Sequence, residues 1–589
     1  MRRGLTVLAA AACLPAAAAN HEVVAPAIGA GPFAVACSNI AQDEAAIAAL
    51  GSTPEEIWEG RPRDGEPRYV SQVLAAPGTA IAFDAPVPDL RELYPRHAGE
   101  RVPHVAIVCH PTPRENPDPD YALPGTGGII PRMQPAGAAP RLVSHTEYHE
   151  ALGIYMSPPV PGPAALPVIV FSHGLGGSPI SPGYIDAVVD LASQGFMVAG
   201  VFHGDPRFSQ IRIEDLGDFV GALANFDEFV EMELIRPVSL KALLDTLLAH
   251  PGFAPGIDAT RIGGFGASLG GQAMANLLGA RLTTSLGLAC RDTVTDPRIK
   301  AAVGLVPYAG QTFLPAFCDD QNGAEGLDRP YLAISGTADT TAPIGMMEQA
   351  LNRFRGSRYL VALEDVEHEY VPGMRGDTMT WAVTFLDAYL QVWAKPDAMG
   401  RLIRLASVAG GPADSLRVDA HVPFAPGAGE ATVREFYNEP LAHYFIASGS
   451  EEIANILAGG AGPGWSLTGQ AFTAYAQLPP DAFTTVAPVC RFYGALAGGP
   501  NSHFYTADPA ECAWVKQAGG WYYEGTAFHV QPVQADGKCP AGHLQVLRAY
   551  NQGYPRNDSN HRYTTSDSTW REMARHGWAL EGAVMCARP

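Results

Sequence analysis

At 589 residues the chain has room for two to four domains, and 47% hydrophobic against 17% charged residues excludes a largely disordered polymer. A net charge of −21 argues against a nucleic-acid-binding surface, which needs clustered Lys and Arg. Glycine (63) and proline (51) both exceed ordinary usage, so many turns and long loops are expected.

Arg2 and Arg3 precede an apolar run from Leu5 to Leu14, which ends in the small residues Ala16 to Ala19. That order marks residues 1–19 as a secretory signal peptide, too short to span a bilayer, with cleavage after Ala18 or Ala19. Cys13 follows Ala11 and Ala12 but lies too early and lacks the leucine of a lipoprotein box, so no lipid anchor is expected. No later run is long and apolar enough for a membrane helix, and the expected location is secreted or periplasmic. Without Cys13 eight cysteines remain, an even number suited to disulfides in an exported protein. Grouping by region pairs Cys37 with Cys109 and Cys290 with Cys318, and places two bridges among Cys490, Cys512, Cys539 and Cys586. No CxxC or Cys/His spacing of a zinc site occurs, and neither a metal nor a cofactor is expected.

Residues 20–157 read as a β-rich extension, with short strands at 33–37, 80–83 and 104–109 between Pro-rich loops. It is expected to integrate with the next part rather than form its own core. From residue 166 strands and helices alternate: strand 167–172, helix 184–194, strand 196–202, helix 238–250, strand 261–265, helix 272–278, then strands 301–306, 331–335 and 359–363. This alternation predicts an α/β domain over residues 20–405, a mostly parallel sheet with helices on both faces.

Gly266-Ala267-Ser268-Leu269-Gly270 lies between a strand and a helix. The small flanking residues allow a turn tight enough to lift the Ser268 hydroxyl above the sheet. A serine hydroxyl is a poor nucleophile until a base takes its proton, so a histidine and an orienting acid are required. Asp339 follows the strand at 331–335 and His368 follows the strand at 359–363. Asp365 is the nearest rival acid, but it shares the histidine loop. His173-Gly-Leu-Gly-Gly177 follows another strand end, and its glycines let amides face a cavity. The expected oxyanion donors are the backbone N–H groups of Leu175 and Leu269.

Phe171-Ser-His-Gly-Leu-Gly176, Leu191-Ala-Ser-Gln-Gly-Phe196 and Gly266-Ala-Ser-Leu-Gly-Gly271 together give residues 140–395 a recognisable character. This region resembles the α/β-hydrolase group of platelet-activating factor acetylhydrolases, dienelactone hydrolases and cutinase-like polyesterases. The resemblance implies the α/β-hydrolase fold and ester hydrolysis through an acyl-serine, without a metal. Two departures limit it. The animal acetylhydrolases carry their acid after an earlier strand, where this chain has Gly304-Leu-Val-Pro-Tyr308, so a phospholipid substrate is not implied. Dienelactone hydrolases use cysteine, so their lactone substrates are not implied either.

Residues 406–432 read as a Gly/Pro-rich linker, and residues 433–589 as a β-rich accessory domain of three repeats. The repeats align His443, His503 and His561, then Trp465, Trp521 and Trp578, each with a helix between. The tail resembles a repeat module of uncharacterised function found on secreted bacterial hydrolases. Most repeated aromatics are expected to be core packing; the functional alternative is surface or carbohydrate attachment.

The expected activity is that of a secreted, monomeric serine carboxylesterase acting on small or polymeric esters, lipase- or polyester-hydrolase-like, through Ser268, His368 and Asp339. Two readings compete: a serine peptidase on the same fold, and a surface-binding protein with a vestigial hydrolase domain.

Overall fold

The computed structural model describes residues 28–588 apart from 126, 153–161, 212–223, 369–374, 392–397, 399–401, 403–413, 421–428, 477–485, 495–498, 535 and 541–542. The expected leader, Cys13 and most of the expected linker lie outside the described residues.

A ten-stranded sheet organises the first two thirds of the chain. Its strands are β1 (Ala34–Cys37), β2 (Ile81–Pro86), β3 (Arg101–Thr112), β4 (Leu166–Ser172), β5 (Met197–Phe202), β6 (Ile257–Ala267), β7 (Ile299–Leu305), β8 (Tyr331–Gly336), β9 (Arg358–Leu363) and β10 (Ser415–Ala420). Their order is β1-β3-β5-β4-β6-β7-β8-β9-β10, with β2 also paired to β3. Apolar residues of β4 alternate between two cores, Ile169 and Phe171 on one face, Val168 and Val170 on the other. Helices α2 (Tyr184–Ser193) and α6 (Arg375–Leu390) cover the first face; α3 (Phe226–Ala249), α4 (Leu269–Leu277) and α5 (Ile344–Arg353) cover the second. Helix α1 (His145–Ala151) precedes β4.

The expectation of a mostly parallel sheet holds for the six central strands, but the sheet as a whole is mixed. Strands β5, β4, β6, β7, β8 and β9 run parallel, while β1, β2 and β3 at one flank and β10 at the other are antiparallel. Strand–helix alternation, the pattern that signals parallel crossovers, runs only from β4 to β9. Strand β10 also lies inside the expected linker. Its Leu416 and Val418 pack on opposite faces of the sheet, a short alternation hidden between Gly/Pro-rich segments. Helix α3 begins twelve residues before the expected start at 238 and carries Pro237 inside it. Proline is a helix breaker in sequence reading, but here burial along the helix outweighs the lost hydrogen bond.

The C-terminal part repeats one unit of two strands, a helix and a third strand. The first unit is β11 (Glu430–Asn438), β12 (His443–Ala447), α7 (Ser450–Leu457) and β13 (Trp465–Tyr475). The second is β14 (Ala487–Gly494), β15 (Ser502–Thr506), α8 (Pro509–Val515) and β16 (Trp521–Val530). The third is β17 (Leu544–Tyr550), β18 (His561–Thr564), α9 (Asp567–Arg575) and β19 (Ala579–Ala587). In each unit the first strand pairs antiparallel with both others. The units close into a ring. Arg491 bonds Glu452 of the preceding unit and Glu524 of its own, and Arg548 repeats this with Glu511 and Glu581. The buried pair of Arg562 with Glu435 joins the third unit to the first. Phe445, Tyr505 and Tyr563 meet at the centre, where Tyr563 Oη donates to the Tyr505 carbonyl at 2.8 Å. The repeated aromatics are thus largely packing.

Among the described residues there are four disulfides: Cys37–Cys109, Cys290–Cys318, Cys490–Cys512 and Cys539–Cys586. Among the described residues no helix is long and apolar enough to cross a membrane.

Candidate active site

Three loops at the carboxyl ends of β6, β8 and β9 converge. Ser268 stands between β6 and α4 with φ 53° and ψ −119°, a backbone conformation that costs a non-glycine residue of the order of 1–3 kcal/mol. The surroundings enforce it. The Ser268 amide donates to the Leu305 carbonyl at 2.9 Å, and the Ser268 carbonyl accepts from the Tyr308 amide at 3.1 Å. A Cβ on Gly266 would come within 2.1 Å of the Gly270 oxygen, and one on Gly270 within 2.0 Å of the Ser172 oxygen. Both flanking positions therefore require glycine, and the serine is presented at a sharp turn.

The Ser268 hydroxyl lies 2.9 Å from His368 Nε2, and His368 Nδ1 lies 2.8 Å from Asp339 Oδ2. With the hydroxyl donating to Nε2 and Nδ1–H donating to the carboxylate, one tautomer satisfies both bonds. Asp339 is buried, and its other oxygen accepts from the amides of Thr341 at 2.9 Å and Ala342 at 2.7 Å. The carboxylate is thereby fixed against rotation. Asp365, the rival acid, is exposed, and its amide bonds the Thr337 hydroxyl.

Leu269 opens helix α4, so its amide has no carbonyl of its own helix to bond. Gly174 lies against Ser268: a Cβ there would stand 3.4 Å from Ser268 Cβ. Leu175 follows it directly and lines a cleft with Arg61, Gly176, Pro206 and Ile211.

Sequence reasoning did not identify what holds this glycine loop. Arg236, buried in α3, donates to the carbonyls of His173 and Gly174 and pairs with Asp205. Asp205 Oδ2 accepts from the Gly176 amide at 3.2 Å. A single buried ion pair thus grips the loop on both sides of Leu175. The available signal was Arg236 itself, a lone charge in the run Leu234-Ile-Arg-Pro-Val238. His173 adds a further tie, with Nδ1–H donating to the Gly174 carbonyl at 2.7 Å and Nε2 accepting from the His203 amide at 3.1 Å.

This geometry makes the fold acid-sensitive. Burial, aided by the Arg236 charge, pushes His173 down to about 4; burial likewise pushes His110 to about 4 and His104 to about 3. A depressed histidine stabilises the fold above its unfolded value of about 6.5, and that stability is lost as pH falls toward the folded value, about 3 kcal/mol for His173. Glu233, raised to about 8 by burial, acts in the opposite direction but is outnumbered. Urea midpoints should therefore fall steadily from pH 6.5 to pH 4.5. A flat profile across that window would contradict the assignment of neutral buried histidines.

Residues 142–212, which carry α1, β4, the glycine loop and β5, match the family described as platelet-activating factor acetylhydrolase, isoform II. Residues 431–588, the three-unit ring, match a domain of unknown function, DUF5648. No curated protein matches the chain.

Proposed function

We propose that the chain is an exported serine carboxylesterase of the α/β-hydrolase type. Ser268 attacks the ester carbonyl while His368 Nε2 takes its proton, and Asp339 holds the imidazole and stabilises its charged form. The amides of Leu175 and Leu269 receive the oxyanion, and His368 then protonates the departing alcohol. Water repeats the sequence on the acyl-serine. The observation that carries this reading is the continuous hydrogen-bonded chain from Ser268 through His368 to Asp339. The acetylhydrolase match over residues 142–212 supports a hydrolase of the lipase or esterase kind. Four disulfides suit an oxidising, extracytoplasmic location.

Matched chromogenic esters and anilides of the same acyl group test the reaction class. The ester should turn over faster; faster anilide cleavage would favour a peptidase. A panel of triglycerides, phthalates and polyester films then ranks the alcohol and acyl groups.

For the ring we propose attachment to a polysaccharide surface. A groove between its first two units combines Trp465 and Tyr493 with Asn438, Asn501, Arg491 and Glu524, apolar faces edged by hydrogen-bonding groups. Polysaccharide pull-down by the full chain should be lost in Tyr493→Ala.

A further inference from the structure

We propose that His145, His149 and Glu572 form a structural zinc site joining the hydrolytic part to the third unit of the ring. The two histidines stand one turn apart on α1, a helix started by Ser144, whose hydroxyl accepts from the Glu147 amide while the Glu147 carboxylate accepts from the Ser144 amide. Spacing of four puts both imidazoles on one face. Glu572 comes from α9, far along the chain. All three residues are buried, and one donor atom from each lies within 4.8 Å of the others.

The chemistry of the contact calls for a cation. His149 Nδ1 lies 2.7 Å from the His145 carbonyl, the geometry of N–H donation to the preceding turn. His149 Nδ1 also lies 2.9 Å from His145 Nδ1; with its proton directed at the carbonyl, Nε2 is the acceptor nitrogen of the ring, and it faces Glu572 Oε1 in direct contact. A lone pair opposed to a carboxylate oxygen in a buried site needs a proton or a metal ion between them. Metal-binding histidines use this same arrangement, with the second ring N–H held by a backbone carbonyl. His576 Nε2 lies 3.6 Å from Glu572 Oε1 but outside the three-donor cluster, which leaves the fourth position of a tetrahedral site to water. Two imidazoles and one carboxylate favour zinc over calcium or magnesium, which prefer oxygen ligands. Arg575 is the charge facing the site from the same helix. It bonds Glu572 Oε2 at 2.5 Å and lies 3.5 Å from His145 Nδ1. It therefore orients the carboxylate and leaves Oε1 for the metal.

The location has a purpose in the fold. None of the four disulfides spans the two parts, since two lie before residue 320 and two after residue 489. A bridge from α1 to α9 would lock the ring onto the hydrolytic part. Neither histidine belongs to the Ser268 relay, so this inference stands independently of the proposed esterase activity.

The test uses the full-length protein without a histidine tag. Elemental analysis after purification in zinc-containing medium should give about one zinc per chain. Exchange into Co(II) should produce the visible absorption of a tetrahedral nitrogen/oxygen site, with no sulfur charge-transfer band. His149→Ala should abolish both signals, and Glu572→Gln should weaken zinc at least tenfold. Chelation should lower the wild-type melting temperature, and added zinc should restore it. No stoichiometric zinc and no Co(II) band in the folded wild type would overturn the proposal and leave a protonated His149–Glu572 ion pair. Unchanged metal content in a folded His149→Ala variant would overturn it too. Should that variant fail to fold, the wild-type Co(II) spectrum decides alone.

Discussion

Replacing Ser268 by alanine should lower turnover of a short-chain chromogenic ester by roughly three decades or more while leaving the melting temperature nearly unchanged. Among the described residues the side chain makes one hydrogen bond, to His368 Nε2, and it contributes little volume to the core. On the proposed mechanism its removal deletes the nucleophile but keeps the amides of Leu175 and Leu269, so a residual rate above solution hydrolysis should remain. Stability is the control. Alanine at this position inherits the positive φ enforced by Gly266 and Gly270, and the main-chain bonds to Leu305 and Tyr308 survive. A variant that folds and turns over normally would remove Ser268 from the mechanism.

Asp205→Ala is the second large effect, and it acts on stability first. Asp205 and Arg236 are both almost fully buried, and their ion pair sits beneath the loop carrying Leu175. Deleting one partner leaves a guanidinium buried without its counter-charge, which costs about 3–5 kcal/mol. It also frees the Gly176 amide, so the loop loses an anchor on one side of Leu175. Urea unfolding should report the loss, and kcat should fall more than KM rises, because the proposed mechanism uses the Leu175 amide chiefly in the transition state. A variant with wild-type stability and kcat would show that the pair does not support the loop.

The relay residues were legible in the sequence because each follows an apolar strand directly, with glycines in the turns of Ser268 and Asp339. Gly266-x-Ser268-x-Gly270, Gly336-Thr-Ala-Asp339 and the loop of His368 are local signals, and local signals survive without coordinates. Repeats were legible for the same reason, since His443, His503 and His561 recur with Trp465, Trp521 and Trp578 at similar distances. Long-range pairings were not. The antiparallel flank of β1 to β3 depends on which edges the early strands reach, and short strands between Pro-rich loops do not encode that. Strand β10 is a six-residue edge that only its partner β9 defines. Likewise Arg236 meets Asp205, and His149 meets Glu572, through tertiary packing rather than spacing.

The most direct test of the catalytic assignment is covalent capture of the nucleophile. The wild-type protein treated with a fluorophosphonate at neutral pH, digested and analysed by mass spectrometry, should carry one phosphonyl adduct on Ser268. His368→Ala should slow that labelling by orders of magnitude, because the hydroxyl would lose its base. Labelling at another serine, or none in protein that hydrolyses esters, would contradict the account.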